Sequence, residues 1–93
     1  MIGRRIDYNQ VDSKNYPYPA LQPSEYGKDS NGNWWCIPPS SANEEGFYLL
    51  ANLKSHKVTE NIDGTITVEP SILVSDHFHS WHGFLTNGIW KEC

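Results

Sequence analysis

The sequence predicts an all-β fold: a small antiparallel barrel or sandwich of about six short strands, preceded by an extended Tyr/Pro-rich N-terminal arm. Three observations point there. The turn dipeptides Asn31-Gly32, Asp63-Gly64 and Asn87-Gly88 punctuate the chain, and such pairs supply the positive φ values of tight hairpins. Between them lie short runs rich in aromatic and β-branched residues, the composition of half-buried strands. No segment repeats apolar residues with the period of an amphipathic helix. With 93 residues, the chain has room for one core and therefore one domain.

Residues 1–30 read as the arm and residues 31–93 as the β domain. The arm holds Tyr8, Tyr16, Tyr18 and Tyr26 together with Pro17, Pro19 and Pro23. Proline fixes its own φ and disfavours helix in the residue before it, so Tyr16-Pro17-Tyr18-Pro19 favours extended backbone. Such a segment packs on its own domain or reaches a neighbouring subunit, which would make the protein a homo-oligomer through the arm. Arg4-Arg5 reads as a solvated pair ahead of the alternative, a local contact with an acidic partner.

After the Asn31-Gly32 turn, Asn33 to Ile37 has strand composition and stops at Pro38-Pro39. Ser40 to Glu45 is a polar loop. Phe47 to Leu53 is an apolar run whose aromatic start favours a strand over a short helix. Lys57 to Asn61 and Thr65 to Val68 flank Ile62-Asp63-Gly64. A two-residue loop there would set Val58 on the face opposite Ile66 and Val68. A three-residue loop with Gly64 left-handed pairs Val58 with Val68 and gathers the apolar side chains on one face, and is preferred. Ile72 to Val74 follows Pro70-Ser71. Trp81 to Leu85 and Ile89 to Glu92 form a hairpin around Asn87-Gly88, whose loop is open between two and three residues.

Composition narrows the function. A net charge of −4 and an isoelectric point near 5.4 argue against phosphate-backbone binding, which needs clustered Lys and Arg. No apolar run approaches the length of a membrane span and no apolar leader follows Met1. The expectation is a soluble protein that stays in the compartment where it is made. Cys36 and Cys93 are expected to be free thiols.

Three of the four histidines fall in Asp76-His77-Phe78-His79-Ser80-Trp81-His82. On a strand, His77 and His79 project to one face, the arrangement of two imidazole ligands. His82 would join them through a bend at Ser80-Trp81. Asp76 would serve as a carboxylate ligand or as the acceptor that orients a ring, with Cys36 or His56 to complete a tetrahedral set. The metal implied is structural zinc. Catalysis by the metal would further require an open position and a base such as Asp76 or Glu69. The alternative is a set of loop histidines bonded to backbone and water.

Other catalytic arrangements have less support. The chain lacks a nucleophile elbow and a glycine-rich phosphate cradle, and Cys36 within an aromatic strand reads as an inert thiol. The four Trp, five Tyr and three Phe suggest instead a binding surface. Trp34 and Trp35 must face opposite sides of a strand, so one lies outside the main core or under the arm. Trp34, Trp35, Phe78, Trp81, His82 and Trp90 are the candidate ligand-binding residues, for stacking a planar molecule such as a nucleotide or anchoring a protein partner.

The stretch Gly64 to Val74, followed by Trp81-His82-Gly83-Phe84-Leu85 and Asn87-Gly88-Ile89-Trp90, resembles a group of small phage and prophage proteins of unknown function, sometimes labelled ammonia monooxygenase. The resemblance extends to Trp34 to Pro39 and leaves residues 1–30 unaccounted for. It implies a phage-encoded accessory protein of the host cytoplasm and carries no established activity. Some of those proteins have paired upstream cysteines in the manner of a zinc ribbon, whereas this chain has only Cys36 there. The leading expectation is a non-catalytic binding module for a host or phage protein or a small planar ligand, in a role that counters host defence. A histidine-centred metalloprotein comes second, as structural zinc before a metal-dependent hydrolase, and a minor virion component third.

Overall fold

The computed structural model describes residues 1–7, 21–29, 31–39, 49–75 and 80–93. The fold is all-β, and no helix occurs among the described residues. The strands are β1 (Arg4–Arg5), β2 (Glu25–Lys28), β3 (Trp34–Cys36), β4 (Ala51–Asn52), β5 (Lys57–Glu60), β6 (Ile66–Ser75), β7 (Ser80–Thr86) and β8 (Ile89–Glu92). They form two four-stranded sheets, in the orders β1-β2-β3-β4 and β5-β6-β7-β8. All pairings are antiparallel except β1 with β2.

The second sheet follows from its turns. Asn61 N–H donates to Thr65 O, Gly64 N–H donates to Asn61 O, and Gly64 has φ +89°. Ile62-Asp63-Gly64 is thus a three-residue loop, and Val58 pairs with Val68 as the sharing of an apolar face requires. Thr86 pairs with Ile89 across Asn87 (φ +50°) and Gly88 (φ +74°), which settles the last hairpin as a two-residue loop with both central residues left-handed. The runs at 65–68 and 72–74 are one strand. In β6 the register shifts between Val68 and Ile72, around the cis Glu69-Pro70 peptide, so the irregularity absorbs a proline that cannot donate to the ladder.

Of the stretch that the sequence presents as an arm, residues 8–20 lie outside the described residues, and the described parts supply β1 and β2. Arg4 pairs with Glu25 and Arg5 with Tyr26. Residues 1–3 run instead along β8: Ile2 bridges Ile89, Gly3 N–H donates to Gly88 O at 2.7 Å, and Trp90 N–H donates to Met1 O at 2.8 Å. One short segment therefore edges both sheets. Gly27 permits its approach, since a Cβ there would overlap the Ile6 carbonyl. Periodicity could not show this, because a parallel partner distant in sequence leaves no local pattern.

The core lies between the sheets. Tyr26, Cys36, Leu49, Ala51 and Leu53 come from the first side, and Ile66, Val68, Ile72, Trp81, Leu85 and Trp90 from the second. Trp81 and Trp90 meet edge to face, with centroids 5.4 Å apart and planes at 88°, a geometry that adds ~0.5–1.5 kcal/mol to the burial of the rings.

Candidate functional site

Strand alternation decides which aromatic residues can meet a ligand. Along β7, Trp81, Gly83 and Leu85 are buried while Ser80, His82, Phe84 and Thr86 are exposed. Trp81 and Trp90 are only 2% and 3% exposed, so these two of the five rings expected at a binding surface are core residues. The reason is register: Leu85 pairs with Trp90, and Trp81, four positions from Leu85, shares its face. Among the described residues, the Trp81 indole N–H finds no hydrogen-bond partner.

Trp34 and Trp35 are half-buried. Trp34 packs against the core, and its ring lies under two cations, with the Arg5 guanidinium carbon 5.0 Å and Lys28 Nζ 5.2 Å from the centroid. Trp35 turns away from the core and donates Nε1–H to Asp29 Oδ2 at 2.9 Å. Asp29 Oδ1 accepts from the Asn31 and Asn33 N–H groups at 2.9 Å. Burial pushes the Asp29 carboxyl up, but these donors outweigh it and hold the group below the ordinary carboxylate range. The loop of the β2–β3 hairpin is thus fastened to Trp35.

The cations over Trp34 belong to a network that crosses between the sheets. Arg5 donates Nη2–H to Asp7 Oδ2 at 3.0 Å and Nη1–H to Gly64 O at 3.0 Å, and pairs with Glu60 at 3.3 Å. Lys28 Nζ reaches the same Glu60 oxygen at 3.1 Å. The hydrogen bond from Arg5 to Asp7 heads the causes that raise the Arg5 pKa. Glu60 is held low, first by Lys28 and then by Arg5. Arg5 is therefore a half-buried tie between sheets, correcting the expectation of a solvated pair, which describes Arg4 alone. The alternation Arg5-x-Asp7, with both side chains on one side of a strand, was the available signal.

Phe78, His77, His79 and Asp76 lie outside the described residues, so three of the four candidate metal ligands have no position to compare. His82 is exposed on β7, with Nε2 2.8 Å from Ser71 Oγ. No group of three or more metal-ligating side chains occurs among the described residues. Cys36 is fully buried and free, and burial pushes its thiol up to about 12, which makes it a poor ligand and nucleophile at neutral pH. His56 donates Nε2–H to Ser71 O at 3.1 Å, leaving a buried Nδ1 unpartnered among the described residues.

Two surfaces remain. Glu60, Asn61, Ile62, Asp63 and Asn87 line a shallow depression of about 520 Å³. Its polar groups are engaged with one another and with neighbours: Asn61 Nδ2–H donates to Thr65 Oγ1 and Asn87 Oδ1, and Asp63 Oδ1 accepts from Thr65 Oγ1 at 2.6 Å. The outer face of the second sheet differs. Leu73 pairs with His82, Phe84 with Lys91, Thr86 with Ile89, and Ile2 with Ile89. Exposures there are 80% for Ile2, 68% for Leu73, 52% for Ile89 and 44% for Phe84. Four of the six exposed large hydrophobic residues among the described positions thus share one face. Phe84 is not among the candidate binding residues read from the sequence, and alternation against Leu85 was the signal that it points outward.

Compared with protein-family models, the curated proteins and the solved structures, the chain matches none.

Proposed function

We propose that this protein is a non-catalytic binding module that captures a protein partner on the outer face of its second sheet. The observation that carries the reading is the gathering of Ile2, Leu73, Phe84 and Ile89 on that face. Exposed apolar groups concentrated in one place mark interaction surfaces, whereas scattered ones do not. An aromatic side chain flanked by aliphatics, with His82 and Lys91 beside it, has the composition of an interface with polar margins. A protein partner fits better than a stacked planar ligand, because Trp81 and Trp90 are spent on the core and Trp34 is covered by cations. The resemblance to small phage and prophage proteins makes a host or phage protein the partner class, with countering host defence as the role.

The test compares wild type with a Leu73→Ser/Phe84→Ser variant, each purified from the cells that naturally make the protein and weighed by native mass spectrometry. Wild type is expected to carry a stoichiometric protein partner. The variant is expected to keep its melting temperature, as outward substitutions change stability by roughly 0.5 kcal/mol, and to lose the partner. A partner retained by the variant, or a wild type without one, would sink the reading. A nucleotide-sized adduct would restore the planar ligand, and a metal-sized one the histidine centre.

A further inference from the structure

Residues 1–7 complete two sheet edges that the other described residues leave open. On one side they meet β8, through Gly3 N–H to Gly88 O and Trp90 N–H to Met1 O. On the other they meet β2, through Arg4 N–H to Ser24 O at 3.1 Å, Ile6 N–H to Tyr26 O at 2.8 Å and Lys28 N–H to Asp7 Oδ1 at 3.1 Å. The fit is close. A Cβ on Gly3 would stand 2.8 Å from Trp90 Nε1 and 3.0 Å from Gly88 O, and one on Gly27 would overlap Ile6 O. Arg5 adds its bonds to Gly64 O and Glu60 on the far sheet. The slot between β8 and β2 is therefore selective for this strand, yet none of these contacts depends on which chain the strand belongs to.

From these contacts we infer that the slot accepts residues 1–7 of a second copy of this chain, giving a dimer by reciprocal strand exchange. Strand donation to an open edge is an established mode of association, and exchange of an identical element costs little because each contact is recreated. Reach permits it: the connection through residues 8–20 has a contour of roughly 45 Å at ~3.5 Å per residue, against a longest molecular axis of 32 Å. Tethering favours the closed monomer by an effective concentration that is in the ~mM range for a short connection. Exchange thus belongs to high local concentration and to refolding, when the slot and the strand are both free.

Ile2 and Ile89 supply the test. They face each other between the bonded pairs Met1–Trp90 and Gly3–Gly88, the close non-hydrogen-bonded position whose Cα separation suits a disulfide. Two variants, Ile2→Cys/Cys93→Ser and Ile89→Cys/Cys93→Ser, are mixed, unfolded in urea, refolded together at rising concentration and oxidised. The expected result is a covalent heterodimer joined through positions 2 and 89, with a yield that climbs about tenfold for each tenfold rise in protein concentration below the millimolar range. The triple variant Ile2→Cys/Ile89→Cys/Cys93→Ser is expected to close within one chain when dilute. Failure of the triple variant to close removes the slot, and closure without any heterodimer at high concentration removes the exchange. An equal yield when the Ile2→Cys variant is mixed with Ile62→Cys/Cys93→Ser, whose cysteine replaces a fully exposed loop residue, overturns the proposal as random collision.

Discussion

The Trp81 indole occupies the space that a side chain at Gly83 would need: a Cβ there would collide with the ring, with the Lys91 carbonyl oxygen and, at 2.9 Å, with Glu92 Cα. Both residues face inward on β7, so the strand gives up one side chain to seat a large one. Gly83→Ala is expected to destabilise by about 1–3 kcal/mol through overpacking, and Trp81→Ala by about 3–5 kcal/mol through loss of a buried ring. Trp81→Phe is expected to cost less than Trp81→Ala, because it keeps most of the buried ring, while both remove the N–H that has no partner among the described residues. Urea unfolding midpoints read all three. A Gly83→Ala variant as stable as wild type would show that the ring does not lie there.

Asp29 predicts the behaviour in acid. Its carboxyl is held below the ordinary value in the folded protein, so ionisation contributes stability that is present above the unfolded carboxylate pKa and is lost as pH falls through the folded one. Asp7 works in the same sense: burial pushes it up, and Arg5, Lys28 N–H and the neighbouring cations bring it down. Thermal melts from pH 7 to pH 2 are expected to show wild type losing stability below about pH 4. Asp29→Asn is expected to start less stable and to fall less steeply, with the remaining slope reduced again by Asp7→Asn. A wild-type slope unchanged in both variants would refute the assignment.

The cysteines differ in environment and therefore in reactivity. Cys93 is exposed and Cys36 is buried, with its thiol raised to about 12 by burial. At pH 8, iodoacetamide is expected to modify Cys93 alone in the native protein and both residues in urea, as counted by intact mass. Because the folded pKa of Cys36 lies above its unfolded value, its contribution is complete below about pH 9 and declines as pH rises towards 12. Cys36→Ala is expected to lose less stability than wild type over that alkaline range.

Arg5 and Glu60 separate a half-buried tie from a surface pair. Glu60→Gln weakens an exposed contact, and its expected cost is small and shrinks in salt. Arg5→Ala strips Asp7 of its main partner, frees Gly64 O and uncovers Trp34, so it is expected to cost more than Glu60→Gln and to resist salt. Chemical denaturation at low and high ionic strength, using urea, distinguishes the two.

Much of the second sheet was legible because its information is local. The three-residue loop at Ile62-Asp63-Gly64 follows from the demand that Val58 and Val68 share a face, and the Asn87-Gly88 hairpin from residues that tolerate positive φ. The first sheet was less legible. Of the apolar run at 47–53, β4 takes Ala51–Asn52, Phe47 and Tyr48 lie outside the described residues, and β1 pairs with a strand far along the chain. For the candidate site, alternation could have sorted the aromatic residues: Trp81 and Leu85 inward implies His82 and Phe84 outward. Their assignment to a binding surface rested on the number of rings, and number does not fix direction. Trp34 needed tertiary information, since Glu60 and Gly64 come from the other sheet.

The segment that edges both sheets also orders events in time. Its contact with β8 joins Met1 to Trp90, 89 positions away, so among the described contacts it closes the longest loop and bears the largest closure entropy. During synthesis, residues 1–3 wait for nearly all of residues 4–90 before finding that partner, while the hairpins of the second sheet form from neighbours as they appear. Contacts of such range are expected to lock late and to contribute little to the rate-limiting nucleus. Substitutions in residues 1–7 should therefore speed unfolding far more than they slow folding.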